Sequence, residues 1–187
     1  MNNFLHFWSA WLKGPHRVGA VAPSSPILSQ AMLNAIEDDG EGMIVELGAG
    51  TGPITKRLSR QFPAERLLII ERDANMARHL REQFPELTVL TADARHILTH
   101  LKSRPCCAVV SALPLLSLPA HDRQDIIATI AEAIGHNGQL VQFTYGFGSP
   151  IPKLEAQQQK LYAHRERFIL RNLPPATVWK YRVAKQA

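Results

Sequence analysis

The sequence predicts an α/β fold with a parallel sheet covered on both faces, on three observations. Short apolar runs alternate with helix-patterned runs from Met43 onward. A glycine-rich turn joins the first apolar run to the first helix. Two strand-like runs close the chain, with only a short proline-rich link between them. Near-continuous apolar strands alternating with helices mark a sheet buried on both faces. Right-handed crossovers leave few topologies for it.

The elements follow in order. Residues 43–47 are a short apolar strand. Residues 53–62 carry Ile54, Leu58 and Phe62 at helical spacing. Residues 66–71 are a second strand, and 74–84 a helix with Met76, Leu80 and Phe84 on one side. Residues 87–90 make a third strand and 94–101 a short helix. A fourth strand spans 108–113. The helix over 122–134 aligns Ile126, Ile127, Ile130 and Ile134, and a fifth strand spans 140–145. The ending differs: 153–164 reads as helix, and 167–173 and 177–183 as strands that pair antiparallel. Before the first strand lie an aromatic amphipathic helix within residues 1–18, a Gly/Pro/Ser-rich loop and a helix over 27–36.

Composition narrows the classes. A chain of 187 residues fits one domain with a sizeable core. Hydrophobic residues at 45% and charged residues at 20% are those of an ordinary globular protein. No apolar run reaches the roughly 18 residues of a membrane span, and the first residues lack the pattern of a secretory signal. The net charge of +5 and pI of about 9.5 favour an anionic partner, whether nucleic acid, anionic lipid or an acidic small molecule. A merely basic soluble enzyme is the plain alternative, since Lys and Arg are spread without a block of like charge. Cys106 and Cys107 are adjacent in an apolar run and read as buried thiols, suited to a reducing cytoplasm. His96 and His100 stand at i, i+4 but lack a third ligand, so no metal is expected.

The most informative stretch is 44–53. It spaces Glu46, Gly48, Gly50 and Gly52 as Glu-x-Gly-x-Gly-x-Gly where a strand gives way to a helix. Glycines let the backbone turn sharply and approach a ligand closely. The helix start offers unpaired N–H groups. A dinucleotide loop usually reads G-x-G-x-x-G and seats a pyrophosphate. Here the acidic Glu46 lies inside the motif, which suits a cation better.

The stretch resembles motif I of class I methyltransferases. The five β/α units and closing hairpin are similar to their seven-stranded, Rossmann-like sheet, with an antiparallel hairpin at the C-terminus and a helical extension at the N-terminus. The resemblance implies S-adenosylmethionine as cofactor, whose sulfonium and ammonium are both cationic. Glu71 ends the second strand nineteen residues after Gly52, where a carboxylate accepts from ribose hydroxyls; otherwise it is a solvated strand-end acid. Asp93 resembles the family's adenine-contacting acid and also suits the N-cap of the next helix. Ala92 and Ala94 leave room for a flat base. Ser24 and Ser25 match a family loop at the methionine end of the cofactor, or simply cap the helix beginning near Pro26.

Four further segments, 19–26, 111–117, 142–152 and 172–182, are similar to the bacterial phospholipid N-methyltransferases. Those enzymes methylate phosphatidylethanolamine towards phosphatidylcholine from the cytoplasmic side of the membrane. The rRNA adenine N6-dimethyltransferases share the glycine loop from Glu46 to Thr55. Their acceptor motif, however, has a polar residue and a stacking aromatic where this chain reads Ser111-Ala112-Leu113-Pro114-Leu115. A non-catalytic cofactor- or nucleic-acid-binding module of the same fold is the other alternative. Phe4, Leu5, Phe7, Trp8, Trp11 and Leu12 cluster on one helical face, followed by Lys13, His16 and Arg17. That is the pattern of an interfacial helix on an anionic membrane, or of a lid. On the acceptor side the candidates are Tyr145, for the amine, and Ser111, to orient it. Arg182 is the candidate for the lipid phosphate, with a half-buried tyrosine and a solvent-facing arginine as the plainer readings.

Overall fold

The computed structural model describes residues 25–38 and 40–185. The aromatic segment Phe4–Leu12 and Ser24 lie outside them. Seven strands form one sheet: β1 (Met43–Leu47), β2 (Leu67–Glu71), β3 (Thr88–Thr91), β4 (Cys106–Ser111), β5 (Gln139–Tyr145), β6 (Leu161–Ile169) and β7 (Ala176–Val183). Their order across the sheet is β3-β2-β1-β4-β5-β7-β6. The first five are parallel, and β7 runs antiparallel to both of its neighbours. This is the seven-stranded α/β architecture expected, with one reversed strand inserted near an edge.

Alternating side chains of the central strands feed two cores. On one face Ile44, Ile69, Val110 and Val141 pack under α1 (Pro26–Asn34), α2 (Thr55–Gln61) and α3 (Ala74–Gln83). On the other, Val45, Leu68, Val109 and Leu140 pack under α4 (Ile97–Leu101), α5 (Ala120–Ile134) and α6 (Lys153–Gln158). Local chemistry sets the ends. Ser25 caps α1, its hydroxyl accepting from the Leu28 N–H with Pro26 following. Asp73 caps α3 by accepting from the N–H groups of Asn75 and Met76. Among the described residues no helix is long and apolar enough to cross a membrane.

Two expectations need correction. The helix read over 153–164 stops at Gln158, and Leu161 to Ile169 are strand. Polar, unbranched residues there favour helix locally, but Lys160 takes a positive φ of 52° and the chain then pairs along β7. An edge strand exposed on both faces shows little hydrophobic alternation. The thiols also differ. Cys106 is buried and its pKa is pushed up to about 12 by that burial, whereas Cys107 is half-exposed beside Arg66 and Asp38.

Ile130 is fully buried on the inner face of α5. Ile130→Ala is expected to cost about 2–5 kcal/mol, read as a lower urea midpoint at unchanged slope.

Candidate active site

The carboxyl ends of the parallel strands are where open α/β sheets bind ligands, and β1 ends there in the glycine turn. Gly48, Gly50 and Gly52 take φ values of 73°, 56° and 84°, a region closed to most side chains. At Gly48 the constraint is also steric: a Cβ would meet Leu113 Cδ2 at 2.8 Å. At Gly50 a Cβ would meet nothing within 4 Å, so the turn bounds open space on that side.

Two carboxylates flank this turn. Glu71 at the end of β2 accepts from the Gly50 N–H through Oε2 and from the Asp73 N–H through Oε1, each at 2.9 Å. These bonds tie the turn to β2. A carboxylate offers about four acceptor positions, so each oxygen keeps one for a ligand hydroxyl. Glu46 is wholly buried on β1. Its Oε2 accepts from the Thr55 hydroxyl at 2.7 Å, and its Oε1 has no partner. Burial raises its pKa to about 8, because a charge in an apolar surround is disfavoured. A cation beside the free oxygen reverses that penalty, so the residue fits a ligand carrying an ammonium or sulfonium.

Asp93, after β3, accepts from the Arg95 N–H as an N-cap and from its guanidinium through both oxygens. The Arg95 contact holds its pKa down at about 2. Three acceptor positions are thus taken, leaving one on Oδ2. Arg95 also bonds Asp122. Ala94 is buried beneath this turn.

The loop leaving β4 packs directly on the glycine turn through Leu113. Gln142, buried on β5, donates to the Leu113 carbonyl at 3.0 Å and holds that loop. Sequence reasoning missed Gln142, whose signal is a polar residue at an inward position of an otherwise apolar strand. Leu113, Leu115, Phe143, Tyr145 and Pro150 line a largely apolar pocket of about 100 Å³. Tyr145 is half-buried and meets the Phe143 ring edge-on at 5.4 Å. Burial raises its pKa to about 12. Ser111 is fully buried at the end of β4, and its hydroxyl accepts from the Leu113 N–H at 3.3 Å.

The remaining candidates separate. Ser25 lies at the same end of the sheet: beyond capping α1, its hydroxyl donates to Asn172 Oδ1 in the β6–β7 link at 2.5 Å. Arg182 does not join the site. The antiparallel register sets Ala176 against Tyr145 and Tyr181 against Leu140, so Arg182 lies about 20 Å along β7 from the pocket. There it pairs with Glu37, beside Lys180. A lipid whose amine reaches Tyr145 cannot place its phosphate at Arg182, because the two groups of such a headgroup are only a few bonds apart. Among the described residues no group of three His, Cys, Asp or Glu side chains is placed to hold a metal.

A glycine turn bearing a buried acid, with a second acid closing it from the next strand, is the cofactor cleft of S-adenosylmethionine-dependent methyltransferases of class I. A family model described as a methyltransferase domain matches residues 44–138, and the chain belongs to that family. Along its whole length it is 32% identical to the ornithine lipid N-methyltransferase of Singulisphaera acidiphila, which it covers completely. A probable ribosomal RNA small subunit methyltransferase A of Haloarcula marismortui is 42% identical over 60 residues, 29% of this chain and 20% of that one. The fold matches that of a TehB-like S-adenosylmethionine-dependent methyltransferase from Corynebacterium glutamicum, with a TM-score of 0.63 at 18% identity and 97% of each chain covered. It also matches TrmN from Thermus thermophilus, with a TM-score of 0.67 at 16% identity, covering 88% of this chain and 51% of that one.

Glu46 gives the cofactor-free protein a pH signature. The unfolded carboxyl titrates near 4.5 and the folded one at about 8. Between those values the folded chain holds a proton that the unfolded chain has lost. This group's contribution to stability is therefore full below pH 4.5 and declines as pH rises to about 8. Glu46→Gln should flatten that part of the stability–pH curve, measured by denaturant melts. Calorimetry should show its S-adenosylmethionine affinity reduced by about 10- to 100-fold.

Proposed function

We propose that this enzyme methylates the amine of a membrane lipid headgroup, that of phosphatidylethanolamine and its partly methylated forms or that of an ornithine lipid. The observation that carries the reading is the apolar pocket against the glycine turn, with Tyr145 in its wall. The full-length relative named as a lipid N-methyltransferase supports it. A nucleobase acceptor is served less well, because the wall after β4 presents Leu113, Pro114 and Leu115 where a flipped base needs an aromatic stacking partner.

Bound in the cleft, S-adenosylmethionine supplies a methyl group on a cationic sulfur, open to in-line attack by a neutral nitrogen. The task of the protein is to deliver that nitrogen without its extra proton. Apolar walls disfavour an ammonium, so entry into the pocket lowers the proton affinity of the amine. Among the described residues the lining holds no carboxylate, imidazole or lysine. With a pKa of about 12, Tyr145 is a neutral phenol at working pH and takes no proton from the amine. The proton passes to water as the amine enters. Tyr145 then orients the nitrogen by a hydrogen bond or through its ring face. Ser111 acts through the loop, by fixing the Leu113 backbone.

The two lipids share the amine and differ in the neighbouring anion, a phosphate or a carboxylate. Neither Lys nor Arg lines the pocket among the described residues, so the anion does not choose between them. The test is labelled S-adenosylmethionine offered to vesicles of either lipid in an anionic matrix, with rRNA in a parallel tube. Label in a methylated lipid amine is the expected result; label in rRNA alone sinks the reading. Tyr145→Phe should lower kcat/KM for the lipid by about 3- to 10-fold and leave cofactor affinity unchanged.

A further inference from the structure

The closing hairpin carries a surface that methyl transfer does not use. Seven large apolar side chains stand exposed among the described residues, and five of them, Ile27, Leu116, Phe147, Leu170 and Leu173, lie at the end of the sheet that holds the pocket. Leu173 is 87% exposed, Leu170 73% and Phe147 67%. Phe147 stacks on Phe168 at 4.4 Å with the rings 20° from parallel, so part of this rim is packed and shaped. Exposed apolar residues scattered singly need no account, but a group of them on one rim does.

Charge gathers on the same hairpin. Residues 160–185 hold seven Lys or Arg and one acid, Glu166, which pairs with Lys180 at 2.8 Å. The rest of the chain holds fourteen basic and fifteen acidic residues, so the whole positive excess of the protein resides here. The basic residues are spread along the sequence; the net charge is not. Arg165, Arg167 and Arg171 are exposed and enter none of the ion pairs of this hairpin among the described residues.

We infer that the tip joining β6 to β7, with Phe147 and Leu116, docks the enzyme on an anionic lipid bilayer. Leu170, Leu173 and Phe147 enter the boundary between headgroups and acyl chains, while Arg165, Arg167 and Arg171 meet anionic headgroups. Nucleic acid would also attract the arginines, but it gains little from aliphatic side chains at the contact, because strand binding relies on aromatic stacking. The choice of a bilayer rests on the lipid reading above. The geometry suits it: the tip is joined to the pocket through β7, with Ala176 opposite Tyr145, and to α1 through Asn172 and Ser25. Docking at the tip holds the pocket beside the surface, so a headgroup reaches Tyr145 while its acyl chains stay in the leaflet.

The test is co-sedimentation of the full chain with phosphatidylcholine vesicles, with and without phosphatidylglycerol. Two double variants are compared, Leu170→Ser with Leu173→Ser and Arg167→Glu with Arg171→Glu, each checked for unchanged S-adenosylmethionine binding. The wild type should bind when phosphatidylglycerol is present, less so as salt is added. Each double variant should lose about tenfold or more of that partitioning. Variants that sediment like the wild type overturn the inference, as does a wild type that ignores phosphatidylglycerol. A leucine variant that melts earlier yet binds vesicles normally also overturns it, since the rim is then covered by the chain itself. Methylation of lipid dispersed in detergent separates the two readings. Lost docking with no lipid amine ever methylated leaves the surface standing and the acceptor wrong. Methylated lipid with undiminished docking of the variants leaves the acceptor standing and the surface wrong.

Discussion

Gly48 and Leu113 cannot be separated without taking the site apart. The glycine turn bends out of β1 with positive φ, and Leu113 of the loop after β4 occupies the space that a Cβ at Gly48 would need. One wall of the apolar pocket therefore rests on the glycine turn itself. Gln142 holds the far side of the same loop by its backbone carbonyl, and Ser111 holds it from beneath. Transfer over a single bond length requires donor and acceptor to be fixed within fractions of an ångström. Direct packing of one loop on the other, with no intervening side chain from a third element, meets that requirement cheaply.

Electrostatics divides the protein along the strand axis. At the carboxyl ends of the strands stand three acids, Glu46, Glu71 and Asp93, of which Asp93 is already answered by Arg95. Glu46 is the most consequential of the three, being buried with one oxygen unanswered. A buried carboxylate with one oxygen unpaired is costly, which is why burial pushes this group towards its neutral form. At the opposite end, Glu37 is held ionised by Lys180 and Arg182, which spends the two cations on structure. Arg165, Arg167 and Arg171 of the same hairpin enter none of its ion pairs among the described residues.

Much of this was legible in advance, for reasons that differ by element. The parallel strands β1, β2, β4 and β5 are largely apolar on both faces, and α3 and α5 show clean helical spacing, so burial is written into residue type. The glycine turn announces itself because only glycine tolerates those backbone angles at that density. Asp93 was readable as a cap because the N-cap preference is local. By contrast β6 was mistaken in part for helix. Leu161 through Arg167 alternate weakly, and their strand conformation comes from pairing with β7, a partner more than ten residues away. Arg182 was misassigned for a related reason: strand direction, invisible in the residues of β7 themselves, decides which of its ends meets the cofactor cleft.

The sequence by itself determined the fold class through its periodicity, the cofactor through the resemblance of its glycine motif to a known family, and three candidate acids through their strand-end positions, because all of these are properties of neighbouring residues. Only the tertiary structure decided what stands next to what across the sheet. It set Leu113 on Gly48, put Gln142 behind the loop after β4 and carried Arg182 away from the pocket. It also brought the leucines of the hairpin tip and Phe147 onto one rim, with Arg171 beside them and Arg167 and Arg165 following along β6. Those juxtapositions depend on register and packing between segments far apart in the chain, and no local pattern encodes them.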